Sequence, residues 1–180
     1  EEEPPQNTQP FTYQINQPRQ EVRHDLIKLT SHLRQGKNLY NLQYGLQINN
    51  RLEFDVRRGN LNEVPALGYK LYSHTLDAEW EVTINQSHKR SIGVNGMMQD
   101  NNKVDGTQTL PFIPNFNNYS AGLFWIEKFS RVKWDWEMGA RYDWRYYKVV
   151  GFDFRNQLYR SKFGFNNVSA TAAATYKINK

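Results

Sequence analysis

Few residue types in this chain of 180 residues could carry out chemistry. Because the sequence contains no cysteine, disulfide scaffolds, zinc fingers, iron–sulfur centres and cysteine nucleophiles are excluded. The four histidines, His24, His32, His74 and His88, are scattered without the spacing of metal ligands. Neither a P-loop nor a dinucleotide-binding glycine motif is present. The sequence therefore predicts no enzyme, no metal centre and no cofactor.

Two weaker motifs also favour ordinary structural explanations. The segment from Asp100 to Gly106 resembles a calcium loop only faintly, because it lacks the bidentate glutamate and places Lys103 among the ligands. The net charge of +5 raises the question of nucleic-acid binding, and residues 141–148 interleave aromatic and basic side chains as base-stacking surfaces do. However, charges of both signs are mixed along most of the chain, which favours a two-faced strand and no nucleic-acid partner.

The best candidates for ligand binding lie in long connecting segments. Arg57 and Arg58 could hold an anionic or carboxylate-bearing ligand through charge-assisted hydrogen bonds. Phe112 and Phe116 could offer an apolar shelf beside such a ligand. The alternative for each residue is a solvated loop arginine or a loop aromatic folded onto its own scaffold.

The scaffold that must position these residues is predicted to be a β-sheet. From Val132 to Tyr146 every even position is apolar or aromatic, and the odd positions are charged or glycine. Such period-2 alternation is typical of a strand with one apolar and one polar face. Similar or weaker runs span about 22–34, 40–54, 75–84, 90–100, 118–129 and 168–178. We therefore expect about seven strands, and no apolar run approaches the ~18–20 residues of a membrane-spanning helix.

The connections between these strands alternate in length. The predicted tight turns lie near Gln35, Ser87 and Ser130, and the predicted long connections span 56–67, 101–117 and 148–166. This alternation is typical of an up-and-down antiparallel sheet whose tight turns share one end. Residues 1–20, rich in Glu, Pro, Gln and Asn, are predicted to be a loop or disordered tail. Residues 21–180 are then the β domain.

The placement of aromatic residues favours lipid as the cover of the apolar face. Trp134 and Trp136 lie at one end of the strand, and Tyr142, Trp144 and Tyr146 lie at the other. Ten steps of ~3.3 Å, tilted by ~40°, give roughly 25 Å of height, which matches the apolar band of an outer-membrane barrel between two aromatic girdles. A soluble sandwich would instead carry its largest side chains at mid-strand. Because single-chain bacterial barrels have at least about eight strands, we expect part of a longer barrel, with its long connections at the cell exterior and its tight turns in the periplasm.

An ordered set of motifs also resembles a known family. The motifs are HDLIKL at 24–29, LQYG at 42–45, RLEFDVRRG at 51–59, GARYD at 139–143 and FNNVSA at 165–170. Together they resemble the TonB-dependent outer-membrane receptors of the Bacteroidetes type, often labelled iron-complex receptors. The resemblance extends from about Gln20 to Lys180.

The resemblance implies a barrel of about 22 strands filled by a plug domain, which imports a scarce ligand when TonB pulls on the plug. This chain would then be a barrel portion in the outer membrane, in contact with lipid and coupled to TonB through a plug domain that it does not contain. The implied ligand is a ferric siderophore or another iron complex. The alternative is a self-contained small β-barrel or sandwich that acts as a ligand-binding or adhesin-like surface protein.

Overall fold

A single antiparallel sheet of seven strands makes up the fold. The computed structural model describes residues 18–56, 63–110 and 112–178. The strands are β1 (Arg19–Gln35), β2 (Asn38–Phe54), β3 (Leu67–Asn85), β4 (His88–Lys103), β5 (Asn115–Ser130), β6 (Trp134–Phe152) and β7 (Leu158–Tyr176). Each strand pairs with its neighbour in sequence. The predicted all-β, up-and-down architecture of about seven strands is therefore confirmed. Within the described ranges, no helix has both the length and the apolar character needed to cross a bilayer.

The strands are longer than those of most soluble proteins. They contain 16 to 19 residues each, whereas strands of globular proteins usually have ~3–10. At ~3.3 Å per residue they extend about 50–60 Å. This exceeds the ~30 Å hydrocarbon thickness of a bilayer, even when the strands are tilted.

The pairing register extends the alternation of β6 across the whole sheet. Ala140 pairs with Trp125 of β5 and Ala170 of β7, while Arg141 pairs with Phe124 and Ser169. The sheet thus has an apolar face, which contains the even positions of β6, and a polar face, which contains the odd positions. From Trp134 to Trp144 the apolar residues are the exposed ones and the polar residues are the less exposed ones. A sheet packed on a protein core would show the opposite distribution.

The two long connections and the short connection at 153–157 lie at one end of the sheet, opposite the tight turns. The tight turns at 36–37, 86–87 and 131–133 lie at one end of the strands. The connections at 55–66, 104–114 and 153–157 lie at the other end. The predicted tight turns and the first two long connections are confirmed.

The third predicted connection, 148–166, is wrong because β6 and β7 continue through most of it. Only 153–157 lies outside the two strands. Asp153 Oδ1 accepts hydrogen bonds from the N–H groups of Arg155 and Gln157, both at 2.8 Å, and Asn156 adopts a left-handed φ of 59°. Asn and Asp tolerate such tight turns. The apolar alternation stops at Tyr146 although the strand does not, so sequence periodicity placed its end too early.

Both edge strands leave one side unpaired. β1 pairs only with β2 and β7 pairs only with β6, and nearly every residue of β7 is exposed. The described strands form one open sheet, so they make neither a closed small barrel nor the two layers of a sandwich.

Candidate functional site

The polar face carries a hydrogen-bonded cluster that is centred on Arg141. Its Nε atom donates to both carboxylate oxygens of Asp143 at 2.8 and 2.9 Å, and its Nη2 atom donates to Asn95 Oδ1 at 2.7 Å. Asn95 lies on β4, two strands away, and Gly122 of β5 lies between them. A side chain at Gly122 would clash with all three partners. The missing Cβ therefore allows β4 and β6 to be linked across β5.

Beside this cluster, a hollow of about 560 Å³ opens on the sheet. Arg145, Tyr147 and Phe165 contribute a cation and two aromatic rings to its lining, and Asn95 and Asn167 contribute amides. Within the described residues, Arg145 makes neither a hydrogen bond nor an ion pair. The hollow thus offers a guanidinium that donates no hydrogen bond to a described residue, next to aromatic surface, an arrangement suited to an anionic ligand with apolar parts.

A second hollow, also of about 560 Å³, lies at the end of the sheet where the long connections are, which we call the rim. Arg19, Phe54 and Phe112 line it. The Arg19 guanidinium lies 4.1 Å from the centre of the Phe54 ring and forms ion pairs with Glu21 at 3.0 Å and Glu63 at 3.3 Å. The cation at this rim is therefore paired with two carboxylates.

Hydrogen bonds between the first two long connections shape the rim. The Thr109 hydroxyl donates to the Ala66 carbonyl at 2.7 Å, and the Thr109 N–H donates to the same oxygen at 3.1 Å. Gln108 Nε2 donates to the Val64 carbonyl at 2.7 Å. The Ala66 N–H in turn donates to the Glu53 carbonyl at 2.7 Å. These bonds join the two connections into one structure above β2, β3 and β4.

The structure places the predicted ligand-binding residues in different surroundings. Phe112 is 91% exposed and lines the rim hollow. Phe116 lies on the polar face of β5, with its ring 6.3 Å from the ring of Tyr147 in an edge-on arrangement. Phe116 thus neighbours the hollow on the sheet. Arg57 and Arg58 lie outside the described residues, and Val56, the last described residue before them, also lines the rim hollow.

Sequence reasoning did not single out Arg145 with Tyr147, Phe165 and Asn167 as a possible site. The pattern places Arg145 on the polar face and Phe165 in the predicted long connection 148–166, while Tyr147 and Asn167 lie just outside the predicted strands. Only the continuation of β6 and β7 brings them together, since Arg145 pairs with Phe165 and Tyr147 pairs with Phe163. The signal that could have found them is the polar pattern that continues beyond Tyr146.

Aromatic residues on the apolar face form two bands. On β6, Trp134 and Trp136 stack at 5.6 Å, and ten residues further along Trp144 and Tyr146 stack at 6.2 Å with nearly parallel rings. Tyr142 lies just below the second pair and donates to Asn166 Oδ1 at 2.6 Å. By register, Phe129 and Tyr176 lie in the rows of the first band, and Tyr44, His74 and Tyr119 lie in the rows of the second. Tyr40, Trp80 and Trp125 lie between the bands, in the row of Ala140. All five tryptophans of the chain lie on this face.

A buried carboxylate lies on the apolar face of β5. Glu127 is only 3% exposed, and it accepts hydrogen bonds from His88 Nε2, Arg90 Nε and Trp125 Nε1. His88 is stacked on Phe129 with ring centres 4.3 Å apart. Three donors therefore compensate the negative charge, as an ion on an apolar surface requires. Elsewhere, the described residues contain no group of three or more His, Asp or Glu side chains arranged to bind a metal ion.

Comparison with known proteins identifies a similar fold at low sequence identity. No protein-family model matches the chain, and no curated protein matches it. Among solved structures, the chain is similar to the ferric yersiniabactin uptake receptor FyuA from Yersinia pestis, with a TM-score of 0.61 and 12% identity. The similarity covers 89% of this chain and 26% of that receptor. The chain thus spans about a quarter of the receptor's length and shares the fold of part of it.

Proposed function

We propose that this chain forms part of the barrel of a TonB-dependent transporter in the bacterial outer membrane. The observation that carries the proposal is the inverted sheet, whose exposed face is apolar and bounded by two aromatic bands while its polar face is less exposed. In lipid, only helices and closed barrels satisfy every backbone N–H and C=O group. The shared fold with an uptake receptor supports the same assignment.

In this proposal, residues 21–180 contribute seven strands to a larger barrel. The unpaired edges of β1 and β7 support it, because exposed strand edges are otherwise prone to aggregation. The plug domain, which TonB pulls, belongs to a part of the protein outside this chain. Of the predicted tail, residues 1–17 lie outside the described residues, and β1 already begins at Arg19. The Bacteroidetes-type subgroup rests on the sequence motifs alone.

The proposed cargo is an anionic iron complex such as a ferric siderophore. Arg145 on the polar face supplies positive charge, and Tyr147, Phe165 and Phe112 supply apolar surface. Arg57 and Arg58 would add two cations close to the rim, and Phe116 would extend the aromatic surface near Arg145. The role is binding and transport, and we propose no catalytic step.

Uptake measurements in cells test this function. In the full-length receptor, Arg145→Ala should weaken uptake of a radioactive ferric siderophore about tenfold or more, because a charge-assisted hydrogen bond contributes about 1.5–3 kcal/mol. Arg57→Ala combined with Arg58→Ala should act in the same direction. The matched control is Arg131→Ala, which changes an exposed arginine in a tight turn at the opposite end of the strands.

Each outcome addresses a different part of the proposal. Wild-type uptake by the Arg145→Ala receptor would remove that arginine from the site. Growth of a strain lacking the whole receptor, with the iron complex as sole iron source, would refute the iron assignment. Absence of the receptor from the outer-membrane fraction would refute the transporter assignment itself.

A further inference from the structure

Three basic residues adjoin one another on the apolar face of β6 and β7. Lys148 and Lys162 are directly paired in the register, and Arg160 pairs with Val150 one step further along the same face. We call Lys148, Arg160 and Lys162 the basic cluster. Residues opposed in an antiparallel pair have Cβ atoms only about 4.5–5.5 Å apart, so two lysines in this position repel each other.

Among the described residues, no acidic side chain is paired with this cluster. Within the described residues, the three side chains form no ion pair or hydrogen bond. On β5 the partner of Lys148 is Asn117, and the next residue in that row is Asp100 of β4, two strands away. The carboxylate of Asp100 accepts a hydrogen bond from Asn102 at 2.6 Å. Asp153, in the connection between β6 and β7, instead holds the backbone N–H groups of its own turn.

The position of the cluster relative to the aromatic bands suggests what would neutralise it. Lys148 follows Trp144 and Tyr146 on the same face, so it lies about 7 Å beyond Tyr146 at ~3.3 Å per residue. Tryptophan and tyrosine bands lie at the level of lipid headgroups. Side chains just beyond such a band therefore meet the charged part of the headgroup layer.

We propose that the basic cluster binds the phosphate groups of a phosphorylated lipid. This lipid belongs to the membrane leaflet on the same side as the long connections. This inference rests on the proposed function and on the expectation that the long connections face the cell exterior, as the longer loops of outer-membrane barrels do. The partner is a lipid because the cluster is continuous with the apolar surface below it, which would hold the acyl chains while the cations hold the phosphates. Binding would also relieve the repulsion between Lys148 and Lys162.

A lipid titration tests the proposal. The full-length receptor, purified from outer membranes in detergent, is titrated with diphosphorylated lipid A, dephosphorylated lipid A or inorganic phosphate, and the apparent affinity is obtained from the rise in the heat-denaturation midpoint. The test variant combines Lys148→Gln, Arg160→Gln and Lys162→Gln. The control combines Arg34→Gln, Arg131→Gln and Lys133→Gln, which removes the same charge near the tight turns.

The expected result is selective loss of binding to the phosphorylated lipid. Each basic residue near an anionic lipid surface contributes roughly fivefold to binding, so the test variant should bind diphosphorylated lipid A about a hundredfold more weakly. The control should bind like wild type, and a charge-preserving variant with Lys148→Arg, Arg160→Lys and Lys162→Arg should retain most of the affinity. Without lipid, the test variant should denature at or above the wild-type temperature because like-charge repulsion is removed.

Equal binding of diphosphorylated lipid A by the test variant and wild type would overturn the proposal. A stabilisation of wild type by inorganic phosphate alone, as large as that by the lipid, would also overturn it, since the site would then bind a free anion. Failure of the proposed function would appear earlier and separately, as absence of the receptor from the outer-membrane fraction.

Discussion

At the scale of single residues, position on a face decides whether a charge is tolerated. Arg141 and Asp143 lie on the polar face and bond to each other and to Asn95. Glu127 lies on the apolar face, where His88, Arg90 and Trp125 all donate to it. Removal of this carboxylate would leave the arginine without its partner on an apolar surface.

We predict that Glu127→Ala lowers the free energy of unfolding by roughly 2–4 kcal/mol, because a buried ion pair that loses one member leaves an uncompensated charge. Glu127→Gln should cost less, since the amide oxygen still accepts a hydrogen bond. Urea unfolding of the receptor in detergent micelles measures both. The control is Glu137→Ala, whose half-exposed ion pair with Lys128 at 3.1 Å should contribute less than about 1 kcal/mol. Equal costs at Glu127 and Glu137 would contradict the structural role of the cluster.

A second residue-scale prediction concerns a neighbouring pair on β7. Ala170 lies on the apolar face opposite Ala140, between the two aromatic bands, and Thr171 lies on the polar face opposite Gly139. Ala170→Arg should cost roughly 2–4 kcal/mol of barrel stability, as a basic residue does near the bilayer midplane, and Thr171→Arg should cost clearly less. Unfolding from lipid vesicles measures the difference. Equal tolerance of the two arginines would refute the face assignment.

Gly139 would be a poorer control than Thr171, for a reason that only the structure reveals. A Cβ atom at Gly139 would lie 3.1 Å from the Trp125 carbonyl oxygen. Its replacement would therefore cost packing energy as well as any cost of charge.

At the scale of elements, the sequence predicted the strands well where one face is apolar and the other is polar. Strict alternation of apolar positions predicts a strand from Val132 to Tyr146, and the structure has β6 at Trp134–Phe152. The last six residues of β6, and the first part of β7, lie outside the predicted strands because Lys148, Arg160 and Lys162 break the alternation. A strand that extends beyond the apolar band no longer needs an apolar face, so hydrophobic periodicity cannot mark its end.

The arrangement of connections gives a topological prediction. All long connections lie at one end of the strands and the tight turns lie at the other. Asp105→Cys in a long connection and Gln86→Cys in a tight turn therefore place a thiol at opposite ends of the sheet. With the long connections at the cell exterior, a membrane-impermeant thiol reagent should label Asp105→Cys in intact cells and Gln86→Cys only after permeabilisation. This chain contributes no native cysteine to the background. Labelling of Gln86→Cys alone in intact cells would reverse the orientation.

At the scale of the whole molecule, the sheet is inverted relative to a soluble protein and open at both edges. The sequence predicted the inversion because alternation and aromatic spacing are properties of single strands. It could not predict the hollow around Arg145, which needs the pairing of β4, β5, β6 and β7. Nor could it show that Phe112 and Phe116 lie in separate surroundings, because the hydrogen bonds of Thr109 and Gln108 that position the rim join distant parts of the chain.

The measurement that tests the central claim most directly is the environment of alternate positions on β6 in a membrane. Single cysteines at Met138, Ala140 and Tyr142, and at Glu137 and Asp143, are spin-labelled in the full-length receptor and reconstituted into lipid vesicles. Oxygen, which concentrates in lipid, should collide often with the labels at the three even positions and rarely with those at the two odd positions. Greater oxygen accessibility at Glu137 and Asp143, or accessibility without alternation, would contradict the assignment of the apolar face to lipid.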